Sequence, residues 1–255
     1  MSDALLEVQN LKLYYPVKVR QNILRSETRY VKAVDDISFT VNKGETFGLV
    51  GESGCGKSTT GKTIVKLLRP TAGDILFEGK SIFARQEEGQ DLTTRIQIIF
   101  QDPYSSLDPR FTVGRCIAEP MVVHKMGTPQ QREERVRQLM KDVGLRPEHY
   151  TKYPHEFSGG QRQRIGVARA LALNPSLIVC DEPVSALDVS IQAQILNLMQ
   201  DLQKKYDLTY IFISHNLSVV KHLCDRIAVM YLGNMVEIAG KNDLFDRPAH
   251  PYTQA

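Results

Sequence analysis

Eight residues, Gly51 to Ser58 (GESGCGKS), restrict the fold of this chain more than any other stretch. Glycines at Gly51, Gly54 and Gly56 permit backbone shapes and close approaches denied to other residues. Before the loop runs an apolar pentapeptide, Thr46 to Val50 (TFGLV). After it, Lys57 to Leu68 keeps Ile64, Leu67 and Leu68 at helical spacing until Pro70 stops the run. Strand, glycine loop and helix form the context in which G-x-x-x-x-G-K-S binds phosphate. The loop N–H groups face the phosphates, the lysine reaches the β and γ oxygens, and the hydroxyl takes Mg²⁺. A chance glycine-rich turn would need neither flank. The expected nucleotide-binding run is Gly51, Glu52, Ser53, Gly54, Cys55, Gly56, Lys57, Ser58 and Thr59, with Ser58 also a metal ligand.

The remainder of the chain offers the sheet such a loop requires. Ile96 to Phe100 (IQIIF), Leu177 to Cys180 (LIVC) and Thr209 to Ile213 (TYIFI) are short apolar runs separated by helix-like sequence, which predicts a parallel α/β core. Leu5 to Tyr15 and Ile37 to Val41 alternate as strands, whereas the polar stretch Gln21 to Thr28 reads as a surface loop. Val113 to Val143 is helical in period and polar on one side, which predicts an inserted helical subdomain; Gln161 to Leu173 and Ile191 to Lys205 are further helices. A length of 255 residues with 42% hydrophobic content is ample for a buried core. The net charge of +3 is too close to balance to call for nucleic acid. Cys55, Cys116, Cys180 and Cys224 are scattered, without the spacing of a zinc site or disulfide framework, and fit a reducing cytosol. The opening MSDALLEVQN has no signal pattern, and no apolar run approaches the roughly 18 to 20 residues of a membrane helix, so action at a membrane would need another subunit.

Two further segments carry chemistry. Leu177 to Glu182 (LIVCDE) is a buried strand with two carboxylates at its C-terminal end, where open α/β sheets place ligands. Asp181 would hold Mg²⁺ through water and Glu182 would polarise the attacking water, in a reaction governed by positioning and charge. Alone, such a strand end would be read as solvated acids; after a phosphate loop it is read as functional. Ser158-Gly159-Gly160-Gln161 opens a helix whose bare N–H groups and dipole form an anion site. A cap explains the serine, but two glycines and a glutamine are an unfavourable helix start unless something approaches the backbone closely.

The order of these segments resembles an ABC transporter ATP-binding subunit over essentially the whole chain. The phosphate loop is followed by Gln101 as Q-loop, Phe157 to Gln161 (FSGGQ) as signature, Asp181-Glu182, the D-loop Ser185-Ala186-Leu187-Asp188 and the switch histidine His215. Phe157 replaces the commoner leucine and leaves the anion-binding groups in place. The resemblance implies a P-loop NTPase (RecA-like) α/β core with an N-terminal antiparallel β subdomain and an inserted α-helical subdomain. Within one nucleotide-binding domain, about 1–100 and 174–255 would form the catalytic core and about 101–173 the helical subdomain. It implies Mg-ATP bound between two subunits closed head to tail, the phosphate loop of one against Ser158, Gly159, Gly160, Gln161 and Asp188 of the other. It further implies catalytic roles for Glu182, His215 and Gln101, the last also a metal ligand. Tyr15, or its neighbour Tyr14, would stack on adenine, a contact worth on the order of 1 to 3 kcal/mol.

Within that family Gln101 to Val113 (QDPYSSLDPRFTV), Tyr153 to Arg164 (YPHEFSGGQRQR) and His250 to Gln254 (HPYTQ) resemble the dipeptide and oligopeptide importers. The extended loop expected at Pro16 to Val31 resembles the second ATPase of such systems. The partners implied are a second ABC ATPase, a paralogue or a copy of this chain, two transmembrane permease subunits and an extracytoplasmic substrate-binding protein, but no nucleic acid. The expected location is peripheral, at the cytoplasmic face of the inner membrane. The chain ends inside the HPYT segment, so further sequence is expected after it; extended members can carry an iron–sulfur cluster there, for which this chain lacks the cysteines. Nickel complexes and glutathione-like solutes use similar ATPases, and soluble ABC proteins acting on ribosomes or DNA are the other class. Those carry two cassettes or long coiled coils, and neither is present. Finally, Cys55 within the loop predicts that thiol alkylation blocks ATP binding.

Overall fold

The computed structural model describes residues 4–22, 25–84, 92–102, 104 and 106–255. In chain order the elements are β1 (Ala4–Asn22), β2 (Arg25–Asn42), β3 (Thr46–Val50), α1 (Lys57–Ile64), β4 (Ala72–Phe77), β5 (Lys80–Ser81), α2 (Leu92–Arg95) and β6 (Ile96–Ile99). They continue with α3 (Val113–Val123), α4 (Pro129–Asp142), α5 (Gly159–Leu171), β7 (Leu177–Asp181), α6 (Val189–Tyr206), β8 (Thr209–Ser214), α7 (Leu217–Leu223), β9 (Arg226–Tyr231), β10 (Asn234–Gly240), α8 (Lys241–Asp246) and α9 (Pro251–Gln254). The chain divides into two compact units, residues 1–88 with 211–255, and residues 89–210.

The first unit holds two sheets. One is antiparallel, in the order β2-β1-β4-β5. In the other, β9 lies between β10 and β3, antiparallel to β10 and parallel to β3, and β8 is the next strand after β3. Every residue of β3 and β8 is buried, as expected for strands covered on both faces, which is why both read as continuous apolar runs.

Of the stretch expected as a loop, Gln21 to Thr28, residues 23 and 24 lie outside the described residues, and the described remainder is strand. β1 and β2 stay paired from Leu13↔Val34 out to Asn22↔Arg25. Tyr15, Val17, Tyr30 and Val31 are exposed there, so no layer imposes an alternation of apolar and polar residues on this ribbon. Helix α1 also ends earlier than its spacing suggests. Lys66 adopts a left-handed backbone (φ 62°) and the N–H groups of Leu67 and Leu68 turn back onto the Lys62 carbonyl.

In the second unit β6 and β7 pair in parallel, and α3, α4 and α5 form the helical region. Helix α4 opens with a capping box between Thr128 and Gln131 and a proline at its first position. Its last residue, Asp142, is half-buried with its side chain covered, and that carboxylate receives hydrogen bonds from Lys205 Nζ (2.6 Å), Gln138 Nε2 (2.8 Å) and the Tyr206 hydroxyl. Burial pushes the Asp142 carboxyl up, but these donors more than offset it and hold the group below its ordinary value. The end of α4 is thereby fixed to the end of α6. The helical stretch expected at about 101–173 lies within this unit, which also contains β6, β7 and α6.

Candidate functional site

In the first unit β3 delivers the chain to Gly51, and the loop backbone is held from below. Gly51 (φ 147°) lies so close to the Met230 carbonyl that a Cβ would collide with it, and Gly56 (φ 108°) approaches the Ala33 carbonyl in the same way. The Gly233 N–H donates to the Cys55 carbonyl at 3.1 Å. Lys57, the first residue of α1, is 4% exposed, and its ammonium donates to the Gly51 (2.7 Å) and Glu52 (2.6 Å) carbonyls. Among the described residues no carboxylate pairs with it, and the loop carbonyls, with Cys55 Sγ beside them, satisfy the buried ammonium. That arrangement fits a polyanion, because desolvation makes an uncompensated cation expensive and an added anion correspondingly favourable.

The Cys55 side chain does not follow the sequence expectation. It is buried beneath the loop, with Sγ 3.7 Å from Lys57 Nζ and under the Gly51 backbone, so its sulfur is not presented to a reagent. Tyr14 and Tyr15 separate clearly. The Tyr14 hydroxyl donates to Asp35, which also takes Lys32 Nζ at 2.9 Å; these two donors, the tyrosine foremost, hold the Asp35 carboxyl below its usual range. Tyr15 projects from the other side of β1 with 40% of its surface exposed. His215 follows β8 on an exposed turn.

In the second unit β7 ends on buried Asp181, and Glu182 follows in a left-handed backbone (φ 48°), an unfavourable conformation for a non-glycine residue. The Ser185 hydroxyl and N–H both bond the Glu182 carbonyl (3.0 and 3.3 Å), which locks that turn. Gln101, just after β6, donates from Nε2 to Glu182 Oε2 at 3.0 Å. The structure therefore brings together the two residues that the sequence analysis connected only through resemblance. Asp188 caps α6 through its backbone alone; its carboxylate makes no cap hydrogen bond and lies exposed.

Helix α5 begins at Gly159 with Ser158 as N-cap. The Gln161 N–H donates to the Ser158 hydroxyl (3.4 Å) and the Ser158 N–H to Gln161 Oε1 (3.1 Å). The glutamine is thus accounted for by a capping box, contrary to the argument from sequence. One glycine also has a reason inside the chain: a Cβ on Gly160 would lie 2.5 Å from Ile191 Cγ2 on α6. What remains for a ligand is the N–H groups of Gly159 and Gly160, which have no carbonyl within the helix. Phe157 is buried with its ring edge-on to His149 at 5.0 Å, so the departure from leucine fills a core position.

A residue the sequence analysis used only as a family mark also reaches the phosphate loop. The Tyr252 hydroxyl accepts the Glu52 N–H at 3.1 Å. No spacing rule connects a tyrosine to an amide so far back in the chain, and the HPYT segment was the sole signal.

A family profile for ABC transporters matches residues 34–185. The chain is 55% identical to the oligopeptide transport ATP-binding protein AppF of Bacillus subtilis, over 99% of this chain and 77% of that protein. It is 48% identical to the dipeptide transport ATP-binding protein DppF of Escherichia coli, over 100% of this chain and 76% of that protein. Among solved structures, cbiO1 from Clostridium perfringens, part of the ABC transporter complex cbiONQ, matches with a TM-score of 0.81 at 28% identity, covering 96% of this chain and 92% of that one. With the strand, loop and helix about Lys57 and the capped glycine helix at Ser158 both in place, the chain belongs to the ABC transporter family.

Proposed function

We propose that this chain is the ATP-binding and ATP-hydrolysing subunit that powers an importer of dipeptides or oligopeptides. The observation that carries the reading is Lys57, a buried ammonium held by loop carbonyls. The peptide class is supported by full-length similarity to oligopeptide and dipeptide transport ATP-binding proteins.

Lys57 and the loop N–H groups take the β and γ phosphates, and Tyr15 carries the adenine. Ser58, Asp181 and Gln101 would hold Mg²⁺, which neutralises phosphate charge when bound. Glu182 orients and polarises the attacking water, with Gln101 fixing its carboxylate; water adds to the γ phosphorus and the bond to ADP breaks, giving ADP and phosphate. His215 steadies the γ phosphate. Ser158, Gly159, Gly160, Gln161 and Asp188 serve the triphosphate on a second ATPase subunit facing this one head to tail.

The chain has no helix, among the described residues, long and apolar enough to cross a membrane, so two permease subunits would provide the path and hold it at the cytoplasmic face. A groove of about 320 Å³ in the second unit, lined by Phe100, Glu119, Val123, Gln163 and Arg169 among others, suits a cytoplasmic helix of such a permease. Gln163 lines that groove, and its Nε2 is buried without a hydrogen-bond partner. The substrate would reach the permeases from an extracytoplasmic binding protein.

The test is the complex of this chain with its permeases and second ATPase in liposomes. Peptide-loaded binding protein should stimulate ATP hydrolysis and peptide uptake together. Glu182→Gln should cut turnover by roughly 10² or more while retaining ATP binding. Uptake driven by a nickel complex or glutathione but not by peptides would overturn the substrate class, and wild-type turnover in Glu182→Gln would overturn the role of the glutamate.

A further inference from the structure

The segment His250 to Tyr252 has a task for each residue, and all of them lie in the first unit. Pro251 starts α9, whose fixed backbone angle suits a first helical position. His250 caps it, its Nδ1 accepting the Tyr252 N–H at 3.1 Å. The segment is tied down from behind by Glu237 on β10, whose carboxylate accepts the N–H groups of Ala249 (2.9 Å) and His250 (3.0 Å). Burial pushes the Glu237 carboxyl up, and these two amides help to more than offset it, so the group stays ionised at neutral pH. Thus anchored, Tyr252 lays its ring on Tyr231 at the end of β9, centroids 4.4 Å apart, and its hydroxyl accepts the Glu52 N–H.

Glu52 is also one of the two residues whose carbonyl receives Lys57 Nζ. The Gly51–Glu52 peptide unit is therefore held on both sides, by Lys57 Nζ through the Gly51 oxygen (2.7 Å) and by Tyr252 through the Glu52 N–H. The Met230 and Gly233 contacts support the loop from the β9 side, and Tyr252 supplies a fixed point reached from the C-terminal segment.

We propose that His250, Pro251 and Tyr252 form a strap that positions the phosphate loop, with Tyr252 a positioning residue that keeps the Gly51–Glu52 peptide, and through the Gly51 oxygen Lys57, in the shape that receives triphosphate. This rests on the reading of Gly51 to Ser58 as the triphosphate site.

The experiment compares wild type, Tyr252→Phe and Glu237→Ala in three measurements. Hydrogen exchange of the full chain without nucleotide reads the Glu52 amide, calorimetry reads MgATP affinity, and turnover in the assembled complex separates KM from kcat. Tyr252→Phe keeps the ring stack and removes only the acceptor. Losing one hydrogen bond should speed Glu52 exchange and weaken MgATP about three- to ten-fold, raising KM with kcat near wild type and the unfolding temperature little changed. Glu237→Ala, which frees the strap away from the loop, should move both readouts in the same direction. A wild type that fails to bind MgATP would defeat the underlying reading. A wild type that binds it, with Glu52 exchange and KM unmoved in either variant, would overturn the strap.

Discussion

At the scale of single residues, burial decides what the phosphate loop exposes. Cys55 looks reactive in the sequence because it sits among residues expected to bind phosphate, yet its sulfur faces the protein, beside Gly51 and Lys57. An alkylating reagent needs an exposed thiolate, and a thiol roofed by backbone meets it only when the loop opens. Labelling of Cys55 by a maleimide, followed by mass spectrometry, should therefore be slow in the folded chain and complete in denaturant. Fast native labelling would mean that the loop opens readily. Tyr14 and Tyr15 teach the same lesson in reverse. Neighbours on a strand point to opposite sides, and the sequence could not say which ring is committed; the Asp35 and Lys32 contacts commit Tyr14 and leave Tyr15 exposed.

At the scale of elements, the signature helix has two kinds of constraint that mutation can separate. Gly160 meets Ile191 across the gap between α5 and α6, so Gly160→Ala should destabilise the chain by about 1 to 3 kcal/mol through overpacking. Adding Ile191→Ala should restore most of that stability in a urea titration. If Gly160 also serves nucleotide, ATP turnover will stay low in the double variant despite the recovered stability. The pair Asp142 and Lys205 joins α4 to α6 and gives a pH prediction. A carboxyl held below its unfolded value contributes stability above that unfolded value, near 3.9, and loses it as pH falls through the folded value. Asp142→Asn should lower stability at pH 7 and flatten the loss below about pH 4, as read by thermal unfolding across that range. The strands β3, β7 and β8 were legible because burial on both faces writes a continuous apolar run. The strand pairing on either side of residues 23 and 24 was not, because Tyr15, Val17, Tyr30 and Val31 are exposed on it and leave no alternation to read, and the Tyr252 contact was not, because a hydroxyl accepting a distant amide leaves no period. The capping box at Ser158 was half legible: its spacing was visible, but the glutamine was assigned to a ligand before the helix had claimed it.

At the scale of the whole molecule, one chain carries the glycine loop at Lys57 and also an exposed Ser158 heading a helix whose Gly159 and Gly160 amides have no carbonyl within the helix, together with an Asp188 carboxylate that does not cap its own helix. If both belonged to one site within one chain, damaging either would have the same consequence as damaging both. If two chains exchange them, the consequences add. Consider this chain paired with an unsubstituted second ATPase in the transporter, with nucleotide trapped by vanadate during turnover. Lys57→Ala removes the cation of one site, while Ser158→Arg places bulk and charge at the helix that completes the other. Under exchange each single substitution should halve the trapped nucleotide and the two in the same chain should abolish it, because each site then lacks one essential contribution. A double variant that traps as much as either single one would show that the loop and the glycine helix serve the same triphosphate in one chain, and the head-to-tail arrangement would fall with it.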